Sequence, residues 1–246
     1  MASPTLALAD RTTSLRADAV VVATTSGTGT VRLAPGAADV DKALGGRLSA
    51  ALAALDAKGT AGEVLRIPTL GEAEFPLVVA TGVGANPRDA EALRRATGAA
   101  LRTLTGKRTV HIAIDGPTGA LAEGALLGSY AFTAYKSGAR PPALRRVTFQ
   151  GDDAAALKRA RVVADAVHTA RDLVNTPPND LYPETFAERV AELAGRAQLD
   201  VQVLGPRELT RDGYGGLLAV GAGSARPPRL VRLTYRPRRA VTRIAL

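Results

Sequence analysis

The chain has 246 residues, 46% of them apolar, with four Phe, five Tyr and no Trp. That length suits one large domain or two smaller ones, and the apolar share builds a core of mostly Ala, Val and Leu, so disorder is excluded as the default. Lys and Arg number 32 against 23 Asp and Glu, a net charge of +9, and zero cysteines exclude disulfides, thiolate catalysis and Cys-ligated zinc.

Short β-rich runs alternate with helical runs in the first part, the signature of an α/β domain. Strands are predicted within 17–25 (ADAVVVATT), 64–67 (VLRI), 77–80 (LVVA), 110–114 (VHIAI) and 144–150 (LRRVTFQ). Helices are predicted over about 40–57, 88–105 and 118–136, with ends uncertain by ~2–4 residues. Asp152-Asp153 then opens a long helix, two acids complementing the positive end of its dipole. Leu157, Ala160, Ala164, Val167, Ala170 and Val174 fall on one face at the helical period. Pro177-Pro178 ends it, and it reads as a connector between two domains. Pro183 starts a further helix, with Phe186, Val190 and Leu193 as its apolar face and Glu192 and Arg196 as an i,i+4 pair. Strands are expected at 201–204, 229–235 and 243–246, with a short helix or turn at 214–218.

The start, Met1-Ala2-Ser3-Pro4, has no basic segment followed by an apolar stretch, and no apolar run approaches the ~20 residues of a membrane span. A soluble cytoplasmic protein without a membrane partner is expected. The positive charge is spread from Arg11 to Arg243, with short pairs at Arg94-Arg95, Lys107-Arg108 and Arg145-Arg146 and the densest run at Arg236-Pro237-Arg238-Arg239. Such spread charge reads as a solvated surface, with nucleic-acid binding weak and non-specific.

Few residues suggest chemistry. Gly82 and Gly84 lie between a strand and a helix, where a phosphate loop would sit, but Asn86 as N-cap and Pro87 at the first helical position explain the run without a ligand. His111 alternates with apolar neighbours in a strand. His168 has Asp165 and Asp172 at i−3 and i+4, which is more often a surface contact than a dyad. Neither HExxH nor GxSxG occurs, so neither histidine takes a catalytic role. The run 123–136 (EGALLGSYAFTAYK) places Leu127, Tyr130 and Ala134 on one helical face, which is core packing.

Three runs carry a family resemblance. They are 171–180 (RDLVNTPPND), 215–224 (GGLLAVGAGS) followed by 227–231 (PPRLV), and 123–136. Together they resemble the leucyl aminopeptidase, or cytosol aminopeptidase, family over about 120–246, while the first 120 or so residues share only α/β character. The resemblance implies a macro-like α/β N-terminal domain over 1–151, a linker helix over 152–176, and the incomplete beginning of an α/β catalytic domain over 177–246. Members of that family are homo-hexamers that use two divalent metals, Mn or Zn, to hydrolyse the N-terminal residue from a peptide. The loop VGKGITFDSGG that opens the metal site follows the strand that 243–246 resembles, so the chain is expected to stop before every catalytic group. No position here inherits a catalytic, cofactor-binding or metal-ligating role, and the chain alone is expected to be inactive. One departure concerns Tyr182, where many relatives carry Thr before the proline; Asp180 is expected to replace the lost cap. The alternative is a nucleic-acid- or nucleotide-binding module built on the N-terminal domain.

Overall fold

The computed structural model describes residues 3–9, 15–27, 30–138, 142–239, 242 and 244–245. The chain divides into two compact units, Met1–Arg171 and Asp172–Leu246.

In the first unit the elements run β1 (Thr5–Ala9), β2 (Ala19–Thr25), β3 (Arg32–Leu33), α1 (Ala38–Ala43), α2 (Leu48–Ala54), β4 (Val64–Pro68), β5 (Leu77–Gly82), α3 (Ala90–Arg102), β6 (Thr109–Ala113), α4 (Thr118–Gly128) and β7 (Arg146–Gln150), followed by α5 (Ala154–Asn175). Among the described residues the strands form one sheet in the order β1-β7-β6-β2-β5-β4, with β3 beside β2. The pairs β1–β7, β7–β6, β6–β2 and β2–β5 are parallel, while β4 and β3 pair antiparallel. The protein is therefore a mixed α/β fold dominated by parallel pairing.

Alternation along the strands builds two cores. Val21, Val79, Ile112 and Phe149 pack on one face with Leu93 of α3, Leu121 of α4 and Leu157 of α5. Val20, Val22 and Val78 pack on the other with Val40 of α1 and Leu48 and Leu52 of α2. A parallel sheet covered on both faces needs such near-continuous apolar strands, and β2 has six buried residues of seven.

Several expected elements are redrawn. The single helix over 40–57 is two, because Gly45 and Gly46 take left-handed φ values of 64° and 75° between them. The Asp41 carboxylate then accepts the Leu48 N–H at 2.9 Å and caps the second of the pair. The helix over 118–136 ends at Gly128, so Tyr130 and Ala134 lie beyond it and share no face with Leu127. Its last carbonyls are taken by side chains. His168 donates to Leu126 at 3.2 Å, Arg171 to Leu127 at 3.1 Å, and the Ser129 hydroxyl to Leu126 at 2.9 Å. Along α5 the apolar stripe is buried only at Leu157, Ala160 and Ala164; Ala170 is exposed and Val174 is 84% exposed.

The second unit contains α6 (Pro183–Arg196), β8 (Asp200–Leu204), α7 (Pro206–Arg211), α8 (Gly215–Gly221) and β9 (Leu230–Thr234), with β8 and β9 paired antiparallel. The buried side of α6 is Ala187 and Ala194, not Phe186, which is exposed. Its ion pair is Arg189 with Glu192 at 2.9 Å, an i,i+3 contact in place of the expected Glu192–Arg196 pair. The strand expected at 243–246 lies outside the described residues at Arg243 and Leu246, and Ile244 and Ala245 are not in a strand.

Candidate functional site

The glycine run at the end of β5 is closed by backbone hydrogen bonds to neighbouring segments. The Gly82 N–H donates to the Glu63 carbonyl, that of Val83 to Thr24 and that of Gly84 to Gly59, each at 2.9 Å. A phosphate loop holds an anion with free N–H groups, and these three are committed. A Cβ at Gly82 would stand 2.0 Å from the Thr60 carbonyl oxygen, so its glycine permits close chain packing. The cap of α3 is also not the expected one. Asp89 accepts the Ala92 N–H at 2.7 Å, while Asn86 turns back to accept that of Arg88 at 3.1 Å.

The two histidines are separately engaged. His111 is 5% exposed in β6, and its Nδ1 lies 2.9 Å from the Thr148 hydroxyl across the parallel pair with β7. Its Nε2 is buried without a hydrogen-bond partner. Burial pushes its pKa down to about 4, so the ring is neutral at pH 7. His168 lies on α5 with its ring centroid 5.1 Å from that of Tyr130, and the Arg171 guanidinium stands 5.4 Å from the same Tyr130 centroid. Three side chains thus close the end of α4, and Tyr130 of the 123–136 run has a structural part there.

In the second unit one residue joins the two strongest motifs. Arg226, in the stretch between 215–224 and 227–231, donates to the carbonyls of Pro178 and Asn179 at 3.3 and 3.1 Å. Its guanidinium also covers the ring of Tyr182. The cap at Tyr182 is rebuilt through Thr185, whose hydroxyl accepts the Tyr182 N–H at 3.0 Å and donates to the Asp180 carbonyl at 2.8 Å. Asp180 therefore contributes its backbone where its side chain was expected, and Asn179 donates to its carboxylate at 3.1 Å.

A two-metal centre needs several carboxylates converging on ions ~3.5–4 Å apart. Among the described residues no group of three or more His, Asp or Glu is placed to hold a metal. The acids of the second unit are dispersed instead into local contacts. Glu184 meets Arg229 at 2.7 Å, Asp200 meets Arg236 at 3.2 Å, Asp212 meets Arg211 at 2.7 Å, and Glu208 accepts the Gly205 N–H at 2.9 Å. Among the described residues these side chains do not fit a dinuclear site.

Two matched regions decide the family. The description "Cytosol aminopeptidase family, N-terminal domain" matches residues 21–139, and "Cytosol aminopeptidase family, catalytic domain" matches 168–246. The chain belongs to the cytosol aminopeptidase family. The match over 21–139 carries the likeness well ahead of the 123–136 run, into a region whose sequence shows only α/β character. A probable cytosol aminopeptidase of Streptomyces coelicolor is 44% identical over 90% of this chain and 49% of its own length. One from Streptomyces griseus is 42% identical over 100% of this chain and 53% of its own. The chain spans about half the length of these curated relatives. Among solved structures, the bottromycin maturation enzyme BotP in complex with Mn is 31% identical, with a TM-score of 0.71 over 90% of this chain and 46% of that one. A mutant of tomato leucine aminopeptidase, 21% identical, shares the fold with a TM-score of 0.76 over 94% of this chain and 51% of its own. Among the described residues no helix is long and apolar enough to cross a membrane.

Proposed function

We propose that these 246 residues form the N-terminal portion of a two-metal leucyl aminopeptidase, a cytoplasmic enzyme releasing N-terminal residues from peptides, and that alone they do not catalyse it. In this reading residues 1–151 are the N-terminal domain, 152–176 the linker helix and 177–246 the beginning of the catalytic domain. The observation that carries it is the family match over 168–246 combined with acids that pair locally instead of converging. The divalent ions, Mn or Zn, would be held by groups outside these residues. What this stretch supplies is a bonded turn ahead of α6: Arg226 donates to the carbonyls of Pro178 and Asn179, and Thr185 accepts the Tyr182 N–H at the start of α6.

The purified chain, free of host aminopeptidase, is expected to release no leucine from a leucyl chromogenic substrate with Mn²⁺ or Zn²⁺ present. Metal-dependent turnover above the blank would overturn the proposal.

A further inference from the structure

The sheet of the first unit ends in two edges that are built differently. β4 carries the exposed Arg66 and closes on Pro68, which has no N–H to offer. Charge and proline are common means of keeping a sheet edge from pairing further. β1, at the opposite edge, reads Thr5-Leu6-Ala7-Leu8-Ala9, with neither a charge nor a proline in it. Its inner side is settled. The Thr5 N–H donates to the Arg145 carbonyl at 2.8 Å, and in a parallel pair alternate residues bond to the same neighbour. Thr5, Ala7 and Ala9 therefore turn their backbone groups to β7, and those of Leu6 and Leu8 point away from the sheet. Among the described residues no strand pairs with β1 on that outer side.

One helix lies along this edge. The Ser3 hydroxyl donates to the Asp165 carboxylate at 3.0 Å and the Arg161 guanidinium to the Pro4 carbonyl, so the flank of α5 that carries them is turned to the start of β1. Lys158 and Val162 stand three or four positions from those residues and share that flank. Lys158 is exposed and enters no ion pair among the described residues, and Val162 is 70% exposed. Leu6 and Leu8 pack into the core that Leu157 and Ala160 of α5 also enter, so helix and leucines share one face of the sheet.

We propose that β1 is the docking edge for an extended, acidic segment of a partner protein, added to the sheet as a further strand beside α5. Peptides that add to a sheet edge take affinity from main-chain bonds and specificity from alternate side chains. Here Leu6 and Leu8 supply the main-chain bonds, and every second side chain of the added strand meets α5. Four helical positions advance ~6 Å, close to the ~6.6 Å between alternate residues on a strand. An apolar side chain over Val162 and a carboxylate at Lys158, two residues apart, thus fall into step. A helical partner fits less well, because its own backbone groups are already bonded within it. The proposal does not rest on the aminopeptidase reading, since the segment is held along its length and not by its amino end.

Fluorescence anisotropy of the 246-residue chain with a labelled Val-Thr-Glu-Thr-Val-Thr-Glu peptide tests it, both peptide ends being blocked so that it is no aminopeptidase substrate. Binding should be about threefold or more tighter than for the same peptide with Lys in place of Glu, and K158E should reverse that order. A version with proline at the central positions should not bind. Hydrogen exchange should slow at Leu6 and Leu8 when the acidic peptide is added. L6P removes an outward donor without removing a bond to β7, and it should abolish binding. Melting curves establish that each variant is folded; L8P replaces L6P if that one is not, and the exposed K158E carries the test if neither folds. No binding of the acidic peptide, equal binding of all three peptides, an unchanged order in folded K158E, or wild-type binding by a folded proline variant would each overturn the proposal. So would a dimer of the chain that L6P returns to monomers, which would put a second copy on the edge.

Discussion

The guanidinium carbon of Arg226 lies 3.8 Å from the centroid of the Tyr182 ring. That contact ties the two motifs of the second unit together: Tyr182, just before Pro183, presents an aromatic face, and an arginine from the other motif covers it while bonding two carbonyls of the proline turn. Arg226→Ala removes the ring contact and both hydrogen bonds, and about 1–2 kcal/mol of local stability should go with them. Tyr182→Thr gives up only the ring contact, about 0.5–1 kcal/mol. Hydrogen exchange of the amides in 177–185 reads both, with the larger acceleration expected in Arg226→Ala. Equal exchange in the two variants would show that the carbonyl bonds contribute nothing.

His111 should make the first unit acid-sensitive. Its folded pKa is lowered to about 4 from an ordinary 6.5 because burial disfavours the charged ring. The unfolded chain therefore binds a proton more readily than the folded one. The stabilising contribution is complete above pH 6.5 and declines as pH falls from there towards 4, with no further loss below. Integrated over that window the loss is roughly 3 kcal/mol. Urea denaturation between pH 4 and 7 checks the slope. A His111→Gln variant should lose this component of the pH dependence while remaining folded at pH 7. A wild-type stability flat across the window would show that the folded ring accepts a proton without penalty.

Two glycines at the crossing of α3 and α4 should respond differently to a methyl group. At Gly128 an added Cβ would stand 2.4 Å from the Gly98 carbonyl oxygen and 2.7 Å from its Cα, so the helices must separate. Gly128→Ala should cost about 1–3 kcal/mol, the usual range for overpacking. At Gly98 the nearest atom, the Gly124 carbonyl oxygen, is 3.3 Å from the added Cβ. There the gain in helix propensity of ~1 kcal/mol offsets most of the crowding. Thermal melts should place Gly98→Ala near wild type and Gly128→Ala several degrees lower.

The second unit should be cut first by proteases. Val201, Val203 and Leu233 are each about two-fifths exposed or more, and Val220 is 90% exposed. In α8 no residue is buried. Elements with few buried contacts open locally at low free energy. Limited proteolysis followed by mass spectrometry should find the earliest cuts within about 175–246 and a resistant core ending near α5. Uniform resistance through that region in a monodisperse monomer would contradict this.

Sequence patterning reached β2, β5 and β6, where burial on both sheet faces leaves a continuous apolar run, and also β4 and β7, where Val64, Ile67, Val147 and Thr148 carry β-branched strand propensity without burial on both faces. It did not reach β1, whose TLALA composition suits a helix equally, nor β3, which is two residues long. Nor could it locate the C-terminal end of α4, where His168 and Arg171 some 40 positions away take the last carbonyls. For the bonded turn ahead of α6, the motifs themselves were legible, whereas the arginine bridging them carries no local signal.

The pairing of β1 with β7 has a consequence for biosynthesis. Thr5 waits for Arg146 and Ala9 for Gln150, partners made roughly 140 residues later. At ~5–20 residues per second that gap is about 7–28 s. Through it the nascent chain carries an edge strand with no mate, while β2, β5 and β6 already lie outside the ribosome and can assemble. A strand translated ahead of its whole sheet is thus among the last to be seated, and a holding chaperone would find it there.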